Sequence, residues 1–373
     1  MLMIKRIAAL SFHTCPLSDE KDAEIGGMNT YVLELSKALA EKGYIIDIYT
    51  RLQDKSSPEF VEVTPNLRVI HSNNIPNSYD LLYAHYYLSG LIGLKLKKKY
   101  NIPLFITFHT LAMMKNLVAR EGEKADLQRI KAELLLTKKS DKIIATSASD
   151  LEYIHTLYSA PLKKIFLLSP GVNLKLFRPI NKLKAKEVIK ANPDHKIILF
   201  VGRIEPLKGL DVLLYAIKIL VQRSPKLQFC LWIVGRTGSE EVLRLNELKL
   251  LLGIHAYVKF VGQKNRAELP YYYSASEVVV MPSQYESFGM AALEAMACAV
   301  PVIITDVTGI SSILGKKHIS LLTSAGNPIL LAKKIKNLLT NREEHKQMSE
   351  EVFKKVQNLG WENVADKFTE IFS

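Results

Sequence analysis

Cysteine is scarce in this chain: three residues in 373, Cys15, Cys230 and Cys298, far apart and odd in number. There is no CxxC pair and no even cysteine framework. That excludes a disulfide-stapled or zinc-ribbon design and predicts a reducing, cytoplasmic setting. No run of about 18 apolar residues occurs, so no transmembrane helix is expected. The apolar run 7–12 follows Lys5 and Arg6, but it is too short for a signal-peptide core and His13 ends it. It reads instead as a buried strand. Neither G-x-G-x-x-G nor G-x-x-x-x-G-K-S/T is found, which argues against a dinucleotide oxidoreductase and a P-loop enzyme. HExxH and clustered Cys/His are missing. Asp22-Ala23-Glu24 is the nearest approach to an acidic metal-binding pair, and no metal or other cofactor is expected. Internal repeats and low-complexity segments are absent as well.

What is present is an ordinary globular balance, 48% hydrophobic and 23% charged. Lysine and arginine outnumber the acids 50 to 37, a net charge of +13. Such a chain suits anionic ligands. The excess is spread, with 24 basic and 18 acidic residues in 1–180 (net +6) and +7 in the remainder. No dedicated basic domain emerges, and no nucleic-acid partner is expected.

Short apolar runs alternate with helical patterns throughout. Strands are predicted at 4–12, 45–49, 67–70, 81–84, 104–108, 142–146 and 165–168. Helices are predicted at 29–42, closed by Gly43, and at 89–99 and 126–139. A turn-rich stretch, Ser169-Pro170-Gly171-Val172-Asn173 and then Phe177-Arg178-Pro179, breaks the series. After a helix at 182–191 the alternation restarts. Strands are predicted at 196–200, 228–234, 258–260, 278–281 and 302–305, and helices at 209–221, 240–251, 269–275 and 291–297. Two βα series imply two doubly wound parallel sheets whose strand carboxyl ends bind ligands. The boundaries read 1–175, 176–358 and a tail, 359–373. The tail places apolar residues at 361, 364, 365, 368, 371 and 372, one narrow helix face suited to packing back on the first domain.

Several groups have the chemistry to bind phosphate and sugar. Gly26-Gly27 precedes the first helix, where bare backbone can approach an anion, or where the chain simply turns. Arg203 and Lys208, in Gly202-Arg203-x4-Lys208-Gly209, flank a strand-to-helix loop and suit a diphosphate, or form a bland surface pair. Glu286-Ser287-Phe288-Gly289 leads into a helix carrying Glu294 among small apolar neighbours. A carboxylate there can grip vicinal hydroxyls, and the amides of 287–290 can hold phosphate. His85 and His109 each follow a strand. Lys95, Lys97, Lys98 and Lys99 lie on a helix with several leucines, a pattern that fits a solvated face or a membrane surface.

Together these motifs resemble retaining glycosyltransferases of family 4, with the GT-B fold, across essentially the whole chain. Most specific is the E-x7-E pattern from Glu286 to Glu294, continued by Ala295-Met296-Ala297 and Pro301-Val302-Ile303. The first half is most similar to the sucrose-phosphate synthases and the N-acetylglucosaminyl inositol-phosphate transferases, through GGMNTYV (26–32), AHYYLSG (84–90) and TFHTLAMMKN (107–116). The resemblance implies an α/β fold of two Rossmann-like domains facing across a cleft, with a C-terminal helix packed back on the first. It implies that Gly27, Arg203 and Lys208 hold the donor diphosphate and that Glu294 binds the ribose. Glu286, with Ser287, Phe288 and Gly289, would position the transferred sugar, with His109 beside it. Tyr86, Thr110 and Arg129 would face an acceptor phosphate. The implied reaction is metal-independent transfer of a sugar from a nucleoside diphosphate sugar, UDP-linked, to a hydroxyl acceptor such as a phosphorylated small molecule. A GT-B epimerase or phosphorylase, or a membrane-associated glycolipid transferase, is the alternative. The chain departs from the pattern in places. No lysine or arginine lies between Arg68 and Lys95, where the inositol-phosphate enzymes carry a phosphate-binding lysine. Tyr87 replaces a frequent tryptophan, Ala299 a usual glycine, and Thr308-Gly309 a frequent Gly-Gly.

Overall fold

Runs such as 196–201 (KIILFV), 278–281 (VVVM) and 302–305 (VIIT) are apolar without alternation, as strands buried on both faces must be. In the computed structural model they are neighbouring inner strands of one parallel sheet. It describes residues 5–17, 26–51, 58–118, 124, 126–306, 309–314 and 321–372. Asp22-Ala23-Glu24 and Thr308 lie outside these.

The first compact unit comprises residues 1–171 and 361–373. Its elements are β1 (Arg6–Leu10), α1 (Gly27–Glu41), β2 (Ile45–Thr50), β3 (Phe60–Thr64), β4 (Leu67–His71), β5 (Leu81–His85) and α2 (Tyr86–Tyr100). They continue as β6 (Leu104–Thr107), α3 (Ala112–Val118), α4 (Leu127–Lys139), β7 (Lys142–Ala145), α5 (Ala148–Thr156) and β8 (Ile165–Leu167). The strand order is β3-β4-β2-β1-β5-β6-β7-β8. Only β3 runs antiparallel, paired with β4.

The second unit, residues 172–360, contains α6 (Lys182–Val188), β9 (Lys196–Val201), α7 (Leu210–Arg223), β10 (Phe229–Val234), α8 (Glu240–Leu251), β11 (Val258–Gly262) and α9 (Leu269–Ala275). Then come β12 (Val278–Met281), α10 (Met290–Ala297), β13 (Val302–Thr305), α11 (Ser311–Leu314), β14 (Leu322–Thr323), α12 (Pro328–Thr340) and α13 (Arg342–Val356). All pairs in the sheet β11-β10-β9-β12-β13-β14 are parallel.

The last helix, α14 (Trp361–Glu370), belongs to the first unit. Trp361, Val364, Ala365, Phe368 and Ile371 of its expected apolar face are buried. Trp361 stands edge-on to Tyr31 of α1, with centroids 5.5 Å apart. Phe368 packs on Tyr83 of β5, at 4.8 Å. Among the described residues no helix is long and apolar enough to cross a membrane.

The elements β3, α3, α5, α11, β14, α12 and α13 have no counterpart in the sequence reading. The helix expected from Ser89 starts at Tyr86, directly on the end of β5. The helix expected to reach Ala191 stops at Val188, and the chain turns through Lys190 at φ +52°.

Candidate active site

In each sheet the strand order reverses beside the first strand of the unit, and the loops on either side of that switch point splay apart to make room for a ligand. In the second unit the switch lies between β9 and β12. Arg203 and Lys208 follow β9, and Glu286 follows β12, so both sides contribute. Lys208 Nζ lies 2.5 Å from Glu286 Oε2, both side chains being mostly buried. The approach is held by backbone: Gln284 N–H donates to Leu207 O at 2.8 Å. Gly209 sits at φ +66°, and a Cβ there would come within 2.1 Å of the Pro282 carbonyl oxygen. Only glycine permits both that backbone and that approach. Arg203 is half-exposed and pairs with Glu205 at 2.8 Å.

Gly289 takes φ +104° as the N-cap of α10 and supplies no side-chain cap. The first amides of the helix are therefore left for another acceptor, as at anion-binding helix ends. Ser287 and Phe288 are buried, and Phe288 O is tied to Ile310 N–H at 2.9 Å. Glu294, one turn into α10, is buried rather than on a solvent face. Its Oε2 accepts from Tyr273 Oη at 2.9 Å, and Arg266 Nη2 lies 3.4 Å from Oε1. Burial, then the adjacent carboxylate, pushes the Tyr273 phenol well above its usual value and keeps it a donor. Glu294 is thus oriented from within the fold, as a positioned binding group should be.

In the first unit the site residues gather at the ends of β1, β5 and β6. Gly27 is exposed at the start of α1, which has no side-chain cap and no acidic residue in its first turn. His85 Nδ1 and His109 Nε2 are 3.0 Å apart. The ring of Tyr31 stands edge-on to His109 at 5.1 Å. Trp361 packs behind Tyr31, so the returning helix backs the histidine through one ring. His109 and Tyr86 both adopt left-handed backbone, at φ +61° and +72°. Such conformations cost about 1 kcal/mol or more in non-glycine residues and cluster at functional sites.

Tyr86, Thr110 and Arg129 are brought together. The Arg129 guanidinium lies 4.8 Å over the Tyr86 ring and 5.6 Å over Tyr87. Its Nη2 donates to Thr110 O at 2.9 Å and to Thr110 Oγ1 at 3.0 Å. Nε donates to Glu133 Oε1 at 2.8 Å. Nη1, with its two N–H groups, meets no acceptor among the described residues. His13 stacks on Tyr86 at 4.5 Å. His13 and Glu133 are site residues that sequence reasoning passes over. His85 it singles out by its place at a strand end, but without its partner.

Burial, then the His109 ring, holds His85 well below its usual pKa; burial, then His13, lowers His109 to about 3. Both are neutral at pH 7, one donating to the other. Unfolding returns them to about 6.5, so below that pH the unfolded chain binds more protons and stability falls. The contribution is complete above about pH 6.5. His109→Asn, which tolerates left-handed backbone, should flatten the fall of Tm between about pH 7 and pH 4. Parallel curves for variant and wild type would show that this histidine does not set the slope.

Comparison with known proteins places these features in a family. Residues 181–355 match the family described as Glycosyl transferases group 1, and residues 25–176 match Glycosyltransferase Family 4. The D-inositol 3-phosphate glycosyltransferase of Thermobispora bispora is 30% identical over 99% of this chain and 95% of its own. That of Rhodococcus erythropolis is 31% identical over 99% of this chain and 91% of its own. Among solved structures, sucrose-phosphate synthase from Thermosynechococcus elongatus superposes with TM-score 0.90 at 30% identity, covering 99% of this chain and 98% of that one. Anabaena HepE in complex with UDP and glucose shares the fold, with TM-score 0.79 at 16% identity, covering 99% of each chain.

Proposed function

Because the chain belongs to the group 1, family 4 glycosyltransferases and is a hexosyltransferase with the GT-B fold, we propose that it transfers a sugar from a UDP-linked donor, with retention, to a hydroxyl of a phosphorylated acceptor. The observation that carries this reading is the contact of Lys208 with Glu286 at the switch point of the second sheet. A cation and a carboxylate there match the two halves of a nucleotide sugar: diphosphate and hydroxylated ring.

Without donor, the pair holds Lys208 in place. With donor, Lys208 and Arg203 turn to the diphosphate, and Glu286 accepts from hydroxyls of the sugar. The α10 amides and Gly27 take further phosphate oxygens, and Glu294 holds the ribose. As the anomeric C–O bond breaks, negative charge grows on the leaving diphosphate, and the two cations stabilise it. The acceptor oxygen attacks from the same face, and its proton passes to the departing phosphate. Neutral His109 hydrogen-bonds the donor sugar without adding charge. Arg129, presented between Tyr86 and Tyr87, holds the acceptor phosphate through Nη1. Relatives named for inositol phosphate and sucrose phosphate support a phosphorylated acceptor. The missing basic residue between Arg68 and Lys95 separates this acceptor site from that of the inositol-phosphate enzymes.

A thermal-shift panel of UDP, GDP, ADP and NAD, each with and without EDTA, tests the reading. At a hundred times its Kd a ligand adds about 2.7 kcal/mol. UDP is expected to raise Tm, equally with EDTA, and the others far less. A shift with NAD alone, or with no diphosphate, would reject the donor assignment; a shift abolished by EDTA would reject metal independence.

A further inference from the structure

The helices α2 and α4 of the first unit run side by side. Arg129 sits over the rings of Tyr86 and Tyr87 at their amino ends, and Lys97 Nζ donates to Lys139 O at 3.1 Å at their carboxyl ends. Between these points they approach closely, Gly90 of α2 lying against Leu136. Residues 127, 131, 134, 135 and 138 of α4 fall within one sector of the helix, and all are exposed. Three are leucines, exposed by 71% (Leu127), 38% (Leu134) and 44% (Leu135), and two are lysines. On α2, Leu88, Lys95 and Lys99 form the same kind of exposed stripe. The sequence of α2 contains no acid, and the single acid of α4, Glu133, is fully buried. Within the two helices the outer face therefore carries leucine and lysine with no exposed carboxylate; the nearest exposed acid in sequence is Asp126, the N-cap of α4, whose side chain accepts from the Arg129 backbone N–H.

We propose that this face docks the protein on an anionic lipid surface, leucines entering the acyl boundary and lysines meeting the headgroups. The pairing of the two side-chain types selects the partner. A second copy of the chain would set lysine against lysine. A nucleic acid would satisfy the lysines and leave the leucines in water. A bilayer with negative headgroups takes both, as amphipathic surface helices do. Lys97 is excluded from the docking set because Asp141 neutralises it at 2.6 Å. The inference is independent of the catalytic reading.

The test is flotation of the full chain with vesicles of phosphatidylcholine alone or with phosphatidylglycerol added. Each lysine near an anionic surface is worth about fivefold in partition. The triple variant Lys95→Glu, Lys131→Glu, Lys138→Glu should therefore lose at least about a hundredfold. The triple variant Leu127→Ser, Leu134→Ser, Leu135→Ser should also release the protein. The control set Lys184→Glu, Lys346→Glu, Lys354→Glu, with the same charge change in the second unit, should bind like wild type. All three sets alter exposed positions, and an unchanged Tm confirms folding. Binding to mixed but not neutral vesicles, lost in the first two sets and kept in the third, supports the proposal. It is overturned by failure to bind mixed vesicles, by equal loss in the control set, or by full binding of the leucine variant. A dimer that dissociates in the leucine variant would assign the face to a second copy instead.

Discussion

Replacing Lys208 with alanine is expected to lower kcat about a hundredfold to a thousandfold with little change in stability. The side chain donates to Glu286 alone among the described residues, and both groups keep some access to water. An ion pair of that kind contributes about 1 kcal/mol or less to folding. Its catalytic weight is different. On the proposed reading the ammonium meets the leaving diphosphate as it gains charge, and preorganised charge acts on the transition state far more than on the bound donor. The loss should thus fall on kcat more than on the KM for the sugar donor. Lys208→Arg keeps the charge but changes a point contact into a fork, so it should recover part of the rate. Measuring kcat, donor KM and the urea midpoint in parallel separates the effects. Turnover at the wild-type level in the alanine variant would remove Lys208 from the proposed role.

The placement of Arg203, Lys208, Glu286 and Glu294 was legible because it is local. Arg203 and Lys208 share one loop, and Glu286 and Glu294 bracket one helix start, so sequence spacing alone places each pair. The central strands were legible for a related reason: β12 and β13 are continuous apolar runs between turns, and their bounds agree with the reading to the residue. β3 shows why other elements escape. It is an edge strand of five residues, FVEVT, with Phe60 exposed, and only its antiparallel pairing with β4 makes it a strand. For α12 and α13 the signals do exist. Asn327 caps Leu330 N–H ahead of Pro328, and Asn341 caps Glu344 N–H. Ala299 turns a noted departure into physics. It stands at φ +58°, a backbone that glycine adopts without strain, which is why glycine is usual there. The cluster around Arg129 was half legible. Tyr86, Thr110 and Arg129 follow from the motifs, whereas Glu133, besides its i,i+4 partner Arg129 on the same helix, binds groups from two other segments, Ala112 and Tyr158, and no local pattern announces those.

Glu133→Ala should be the most destabilising of these substitutions, by about 3–5 kcal/mol, because it strands a buried guanidinium. The carboxylate is fully buried and receives Arg129 Nε–H on one oxygen, and Ala112 N–H at 3.0 Å and Tyr158 Oη–H at 2.5 Å on the other. Tyr158 Oη in turn accepts from Met113 N–H at 2.9 Å, so the first two amides of α3 depend on this one acid. Burial, then the Glu133 charge, raises the Tyr158 phenol above its ordinary value, which keeps it a donor to the acid. For a unit of this size a loss of that order lowers Tm by roughly 10 °C. A double variant, Glu133→Leu with Arg129→Met, distinguishes charge from hydrogen bonding. If the cost is the unpaired cation, removing it restores much of the stability, as apolar replacement of buried ion pairs commonly does. If Arg129 holds the acceptor phosphate as proposed, the double variant should still lack acceptor-dependent turnover, while UDP raises its Tm as in wild type. A double variant no more stable than Glu133→Ala would move the cost from Arg129 to the α3 amides and Tyr158. Glu133 would then act as the remote cap of α3, with Arg129 as its counter-ion only.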